Sequence, residues 1–108
     1  MLVLFDINTP RGLARVLKRH TVVEARARGW ERYENGALLN AAGEAGFEVQ
    51  VTSDKRIRYQ QNQTGRKIAL VVLSQGRWRL VRQRLEEIAA AVDAATAGSY
   101  TEVEVPIN

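Results

Sequence analysis

Hydrophobic positions along the chain fall into runs of two kinds. Leu2-Val3-Leu4-Phe5 and Ile68-Ala69-Leu70-Val71-Val72-Leu73 are apolar without interruption. A strand with one wet face alternates, so an unbroken run fits a strand covered on both faces, as in a parallel sheet. Phe47-Glu48-Val49-Gln50-Val51 reads as another strand and His20-Thr21-Val22-Val23-Glu24 as a short one. Tyr100-Thr101-Glu102-Val103-Glu104-Val105 alternates like a half-exposed edge strand, closed by Pro106. Helical spacings lie between these. Leu13, Val16 and Leu17 share one face of a helix predicted after Pro10, with Thr9 able to cap it and Pro10 at its first position. A second helix starts near Asn35, runs through Leu38, Leu39, Ala41, Ala42 and Ala45, and ends at Gly46. Trp78, Val81, Leu85, Ile88, Val92 and Ala95, at steps of three and four, predict one helix over about 77–97 with Trp78 on its buried stripe. The strand–helix alternation predicts a single domain over 1–108, a three-layer α/β/α sandwich with a mainly parallel central sheet.

Composition narrows the chemistry. The chain has no cysteine, which excludes disulfides, thiolate nucleophiles and cysteine metal sites. No apolar stretch approaches the roughly 20 residues that cross a bilayer, and the first run is too short for a signal peptide, so a cytoplasmic protein with no membrane partner is expected. The net charge of +4 conceals a strong segregation. Residues 1–54 are balanced, 55–85 hold nine basic residues and no acid, and 86–108 hold five acids and no base. A basic block of that density gathers polyanions.

Two strands end in a carboxylate. Leu2–Phe5 runs into Asp6-Ile7-Asn8-Thr9, and Phe47–Val51 into Thr52-Ser53-Asp54-Lys55. In an open parallel sheet, the carboxyl ends of the strands line the crevice where ligands bind. An Asp at a strand exit can equally make an Asx-turn or cap the next helix. Among the basic residues, Arg56 and Arg58 with Tyr59 can contact phosphates and stack on unpaired bases. Arg77 and Arg79 stand at the start of the last predicted helix, where the dipole disfavours cations, which suggests an anion nearby.

Leu4-Phe5-Asp6-Ile7-Asn8-Thr9-Pro10 and Val51-Thr52-Ser53-Asp54-Lys55 resemble the two motif stretches of PIN-like domains, closest to their short prokaryotic branch. Gly29-Trp30, Asn35-Gly36-Ala37-Leu38-Leu39 and Tyr59-Gln60-Gln61-Asn62 add to the likeness, which covers roughly residues 1–75. The resemblance implies a divalent-metal-dependent ribonuclease using Mg²⁺ or Mn²⁺, in many relatives the toxin of a toxin–antitoxin pair and often a homodimer. It implies metal-binding roles for Asp6 and Asp54, with Glu34 a third catalytic acid. Taken with the basic residues read above, Asn8, Asn35, Lys55, Arg56, Arg58, Tyr59 and Arg77 are expected around the RNA. The chain departs from the family pattern at Ile7, Asn35 and Arg56, where acids are usual. The alternative expectation is therefore a PIN-like module that holds RNA or a protein partner without cutting.

Overall fold

The computed structural model describes residues 1–57 and 66–107, with only the backbone of Asn35. Five strands, β1 (Leu2–Phe5), β2 (Thr21–Glu24), β3 (Val49–Thr52), β4 (Ala69–Leu73) and β5 (Tyr100–Val103), form one sheet in the order β2-β1-β3-β4-β5. Every neighbouring pair is parallel. The expectation of a mainly parallel sheet thus becomes an all-parallel one. The uninterrupted runs occupy β1 and β4 in its interior, and the alternating segment forms the edge strand β5, as their patterns require.

Side chains of alternate strand residues feed two separate cores. On one face Val3, Phe5, Val49, Val51, Val71 and Leu73 pack with Leu13 and Leu17 from the β1–β2 connection, and with Leu80, Val81, Ile88 and Val92 from the β4–β5 connection. On the other, Leu4, Leu70 and Val72 pack with Leu38, Leu39 and Ala42 of α1 (Asn35–Glu44) and with Phe47. The chain steps outward from β1 to β2 over the first face. It then returns past β1 to β3 over the second. That reversal of direction, with the covering segments on opposite faces, opens a crevice between the exits of β1 and β3.

The β4–β5 connection is the exception. It shares a face with the β1–β2 connection but steps in the opposite lateral direction, so its hand is opposite to that of the β1–β2 and β2–β3 connections. Parallel crossovers strongly prefer a single hand, so two hands within one sheet are unusual. One consequence is local: the segments around residues 11–17 and 78–92 become neighbours.

Three helical expectations change. The helix predicted after Pro10 is a 3-10 helix over Arg11–Val16, and Thr9 does not cap it; the side-chain hydroxyl is drawn instead to Asp6 and the Val51 carbonyl. The helix over 77–97 is broken into α2 (Trp78–Val81), a 3-10 turn (Arg82–Arg84) and α3 (Leu85–Asp93). Trp78 is not on the buried stripe; it is 36% exposed, and Leu80 takes the core position. Gly46 does end α1 as predicted, at φ +90, a conformation L side chains rarely adopt. Among the described residues, no helix is long and apolar enough to cross a membrane.

Candidate functional site: paired carboxylates at the sheet's switch point

Register brings the first two site residues together. Phe5 pairs with Val51 across β1 and β3, so the next step along each strand sets Asp6 beside Thr52. The Thr52 hydroxyl donates a short hydrogen bond to Asp6 Oδ2. Thr9 Oγ1 lies 2.7 Å from Asp6 Oδ1 and 2.8 Å from the Val51 carbonyl; with one proton to give, it donates to one of them at a time. The Asn8 amide donates to Asp6 Oδ1 at 3.1 Å, which closes an Asx-turn. Asp6 is buried. Burial outweighs these three donors and pushes its carboxyl above the ordinary 3.8, and the charge of Asp54 adds to the rise.

Asp54 is held differently. Its backbone N–H donates to Thr52 Oγ1 at 3.1 Å, so one hydroxyl links the exits of both strands. Its carboxylate accepts Arg56 Nε at 3.0 Å on Oδ1 and Nη2 at 2.8 Å on Oδ2, a two-pronged ion pair, and Oδ1 also takes the Arg56 amide at 3.0 Å. That pairing favours the charged guanidinium further.

Both carboxylates line one cleft of about 240 Å³. Glu34, Asn8, Arg56 and Ile7 share its walls, as do Trp30 and Tyr33. Glu34, Asn8 and Arg56 therefore meet the two acids where the sequence places them. Lys55 does not: it lines a different cleft with Ser74, Glu102 and Glu104. Arg77 is exposed, precedes a helix of only four residues, and is outside the acidic cleft, so the anion site expected at a long helix start has no basis. Asn35 opens α1, and Arg58 and Tyr59 fall outside the described residues.

Sequence reasoning missed the aromatic wall. Trp30 and Tyr33 stack with ring centroids 6.3 Å apart, Trp30 meets Phe47 edge-on at 6.0 Å, and the Arg28 guanidinium sits 4.8 Å from the Trp30 ring. Trp30 and Tyr33 lie in an aperiodic loop, marked in sequence by Gly29-Trp30 and by the pairing of aromatics with arginines over Arg28–Tyr33.

A hard divalent cation needs carboxylate oxygens free to coordinate it. Both oxygens of Asp6 already accept hydrogen bonds, and both oxygens of Asp54 face the Arg56 guanidinium. Among the described residues, no three His, Cys, Asp or Glu side chains are grouped to share a metal. In this arrangement the Arg56 guanidinium occupies the place against Asp54 that a Mg²⁺ or Mn²⁺ ion would need.

Fold and site together define a parallel α/β domain with an acidic, aromatic-walled cleft at its topological switch point. No family model matches the chain, and no curated protein or solved structure is detectably similar to it.

Proposed function

We propose that the chain is a PIN-like domain of three layers that binds single-stranded RNA at the exits of β1 and β3 without cleaving it. The observation that carries this reading is the Arg56 guanidinium lying across both oxygens of Asp54. A cation at that point can turn its remaining N–H edge to a phosphate, and it stands against the carboxylate where a metal would have to bind. The adjoining Trp30–Tyr33 stack, with Tyr33 47% exposed, offers a platform for a base. The cleft is smaller than the roughly 300–1,000 Å³ of sites for drug-sized ligands, which suits a single nucleotide unit of a longer strand.

A second reading, a Mg²⁺- or Mn²⁺-dependent ribonuclease with an antitoxin-like protein partner, is favoured by one observation: Asp6, Asp54 and Glu34 face the same cleft. It requires Arg56 to leave Asp54. The two readings part in one experiment, melting wild type and Arg56→Ala with and without Mn²⁺ beside an assay for cleavage of single-stranded RNA. The binding module predicts an unchanged wild-type Tm, no cleavage, and an RNA affinity that Arg56→Ala weakens. A wild-type Tm raised by Mn²⁺, together with cut RNA, establishes the nuclease instead.

A further inference from the structure

The β4–β5 connection carries a surface that the cleft does not use. Trp78 spreads its indole over Gly12: a Cβ added at residue 12 would lie 2.5–2.9 Å from the ring carbons, so only glycine admits the contact. The contact joins two basic segments far apart in sequence. Arg15 stands one 3-10 turn beyond Gly12, on the same side of that helix, and Arg82 one helical step of four beyond Trp78. Arg77 and Arg79 flank the indole in sequence. All four arginines are exposed. The ion pairs among the described residues are Arg11–Glu24, His20–Asp93, Arg56–Asp54 and Arg84–Glu87, and none of them neutralises these four.

A part-exposed indole with exposed arginines on either side of it in sequence, four residues beyond it, and one 3-10 turn beyond its Gly12 contact is a specific combination. The Gly12–Trp78 contact sets these two mutually repelling basic segments side by side, and no ion pair among the described residues neutralises the four arginines. The partner that lowers that repulsion is a polyanion, and the aromatic face adds a place for a planar group between its charges. Single-stranded nucleic acid supplies both, phosphates for the arginine forks and unstacked bases for the indole. A duplex keeps its bases stacked and has no use for the ring. The surface also adjoins the cleft. Gly76 lies so close to the exits of β1 and β3 that an added Cβ would stand 2.6 Å from Ser53 Oγ and 2.9 Å from the Asn8 carbonyl oxygen, and Arg77 and Trp78 follow at once.

We infer that the Trp78 face, with Arg15, Arg77, Arg79 and Arg82, is a docking surface for single-stranded nucleic acid, continuous with but separate from the Asp6–Asp54 cleft. Its existence does not require the cleft to bind RNA.

The test is binding of a labelled, unpaired 16-nucleotide RNA, followed by fluorescence anisotropy across a salt series. Arg77→Gln with Arg82→Gln removes two phosphate contacts; the slope of log K against log salt becomes shallower by about 1.4, and affinity at low salt falls roughly tenfold. Trp78→Leu weakens binding roughly tenfold with little change in slope, since stacking releases no counterions. The arginine pair lies on the surface and should melt like wild type, so the test holds even where Trp78→Leu fails to fold. Tyr33→Leu and Arg56→Gln report on the cleft in the same assay. Loss in the Trp78-face variants but not the cleft variants supports this inference and overturns RNA binding in the cleft. Loss in the cleft variants alone overturns this inference and leaves the cleft standing. A wild-type protein that ignores the RNA, or prefers a duplex of equal length, overturns it as well.

Discussion

Asp6 and Asp54 leave adjacent strands of one sheet and share a hydroxyl between them, yet they live in opposite regimes. Asp6 is buried, and each donor it accepts comes from within three residues or from the neighbouring strand. Asp54 sits nearer to solvent, and its chief partner is a guanidinium whose side chain is 74% exposed. The first arrangement is a fastener: it ties the β1 exit to β3 and to the start of the next connection. The second is a contact that solvent or a ligand can rearrange. Position at the carboxyl edge of a sheet therefore does not by itself fix how an acid is held; its partners do.

The largest effect should come from cutting the fastener. Asp6→Ala removes the acceptor for the buried Thr52 and Thr9 hydroxyls and for the amide of the exposed Asn8. Stranding such donors costs about 1–3 kcal/mol each before relaxation, and Thr9 retains the Val51 carbonyl, so a loss of about 3 kcal/mol is expected in urea denaturation. A loss no greater than that of a surface substitution would erase the contrast with Asp54.

Acidity sharpens the same contrast. The Asp6 carboxyl titrates above 3.8 in the folded protein, chiefly because burial penalises its charge. Between the unfolded and folded pKa values the native state holds the extra proton, so stability falls as pH rises through that window. The Asp6 contribution is complete below the unfolded value and is lost as pH climbs through the folded one. Stability of wild type relative to Asp6→Asn should decline with rising pH from about 4 upward, at no more than about 1.4 kcal/mol per pH unit for one proton, and then level off. A difference that stays flat would mean that the three donors fully offset burial.

How much of this was legible depended on whether a residue's partner was local. Leu2–Phe5 and Ile68–Leu73 announced interior strands because burial on both faces leaves no polar positions, and Gly46 announced a helix end because the following backbone needs a positive φ. The two Asx-turns were also within reach, since each joins residues two apart. Thr52 as partner to Asp6 was not, because it depends on which residues of β1 and β3 face each other. The break at 82–84 was hidden for another reason: spacings of three and four persist through a 3-10 turn, so periodicity alone joins α2 to α3 and assigns Trp78 to the wrong side. In sequence Gly12 reads only as a residue that weakens the first turn of a helix. Its purpose, room for an indole 66 positions away, depends on which connections share a face of the sheet.

Gln50 offers a control for what burial without partners costs. It lies in β3 two residues before Thr52, is fully buried, and neither its Oε1 nor its Nε2 has a hydrogen-bond partner among the described residues. Where Asp6 is satisfied, Gln50 is not. Gln50→Leu should therefore stabilise the domain by about 1 kcal/mol in the same denaturation assay. Destabilisation would show that the amide is compensated, and that buried polar groups on this strand are uniformly structural.

The smallest effect on stability, and the most telling one for function, is expected at Asp54. Asp54→Asn weakens the ion pair but leaves an oxygen to accept the Arg56 amide, and pairs with an exposed partner contribute little to folding. Its melting temperature should stay close to wild type while its ligand behaviour changes. Removing one negative charge frees the Arg56 guanidinium in a cleft also lined by Asp6 and Glu34. If the cleft holds phosphate, affinity for single-stranded RNA rises by a few-fold and its salt dependence steepens by up to about 0.7 in slope, one more phosphate contact. A metal-dependent nuclease responds the other way, since the same substitution removes a ligand oxygen and suppresses cleavage. An Asp54→Asn protein that is both much less stable and unchanged in RNA affinity would make Asp54 a second fastener, and the difference between the two strand exits would vanish.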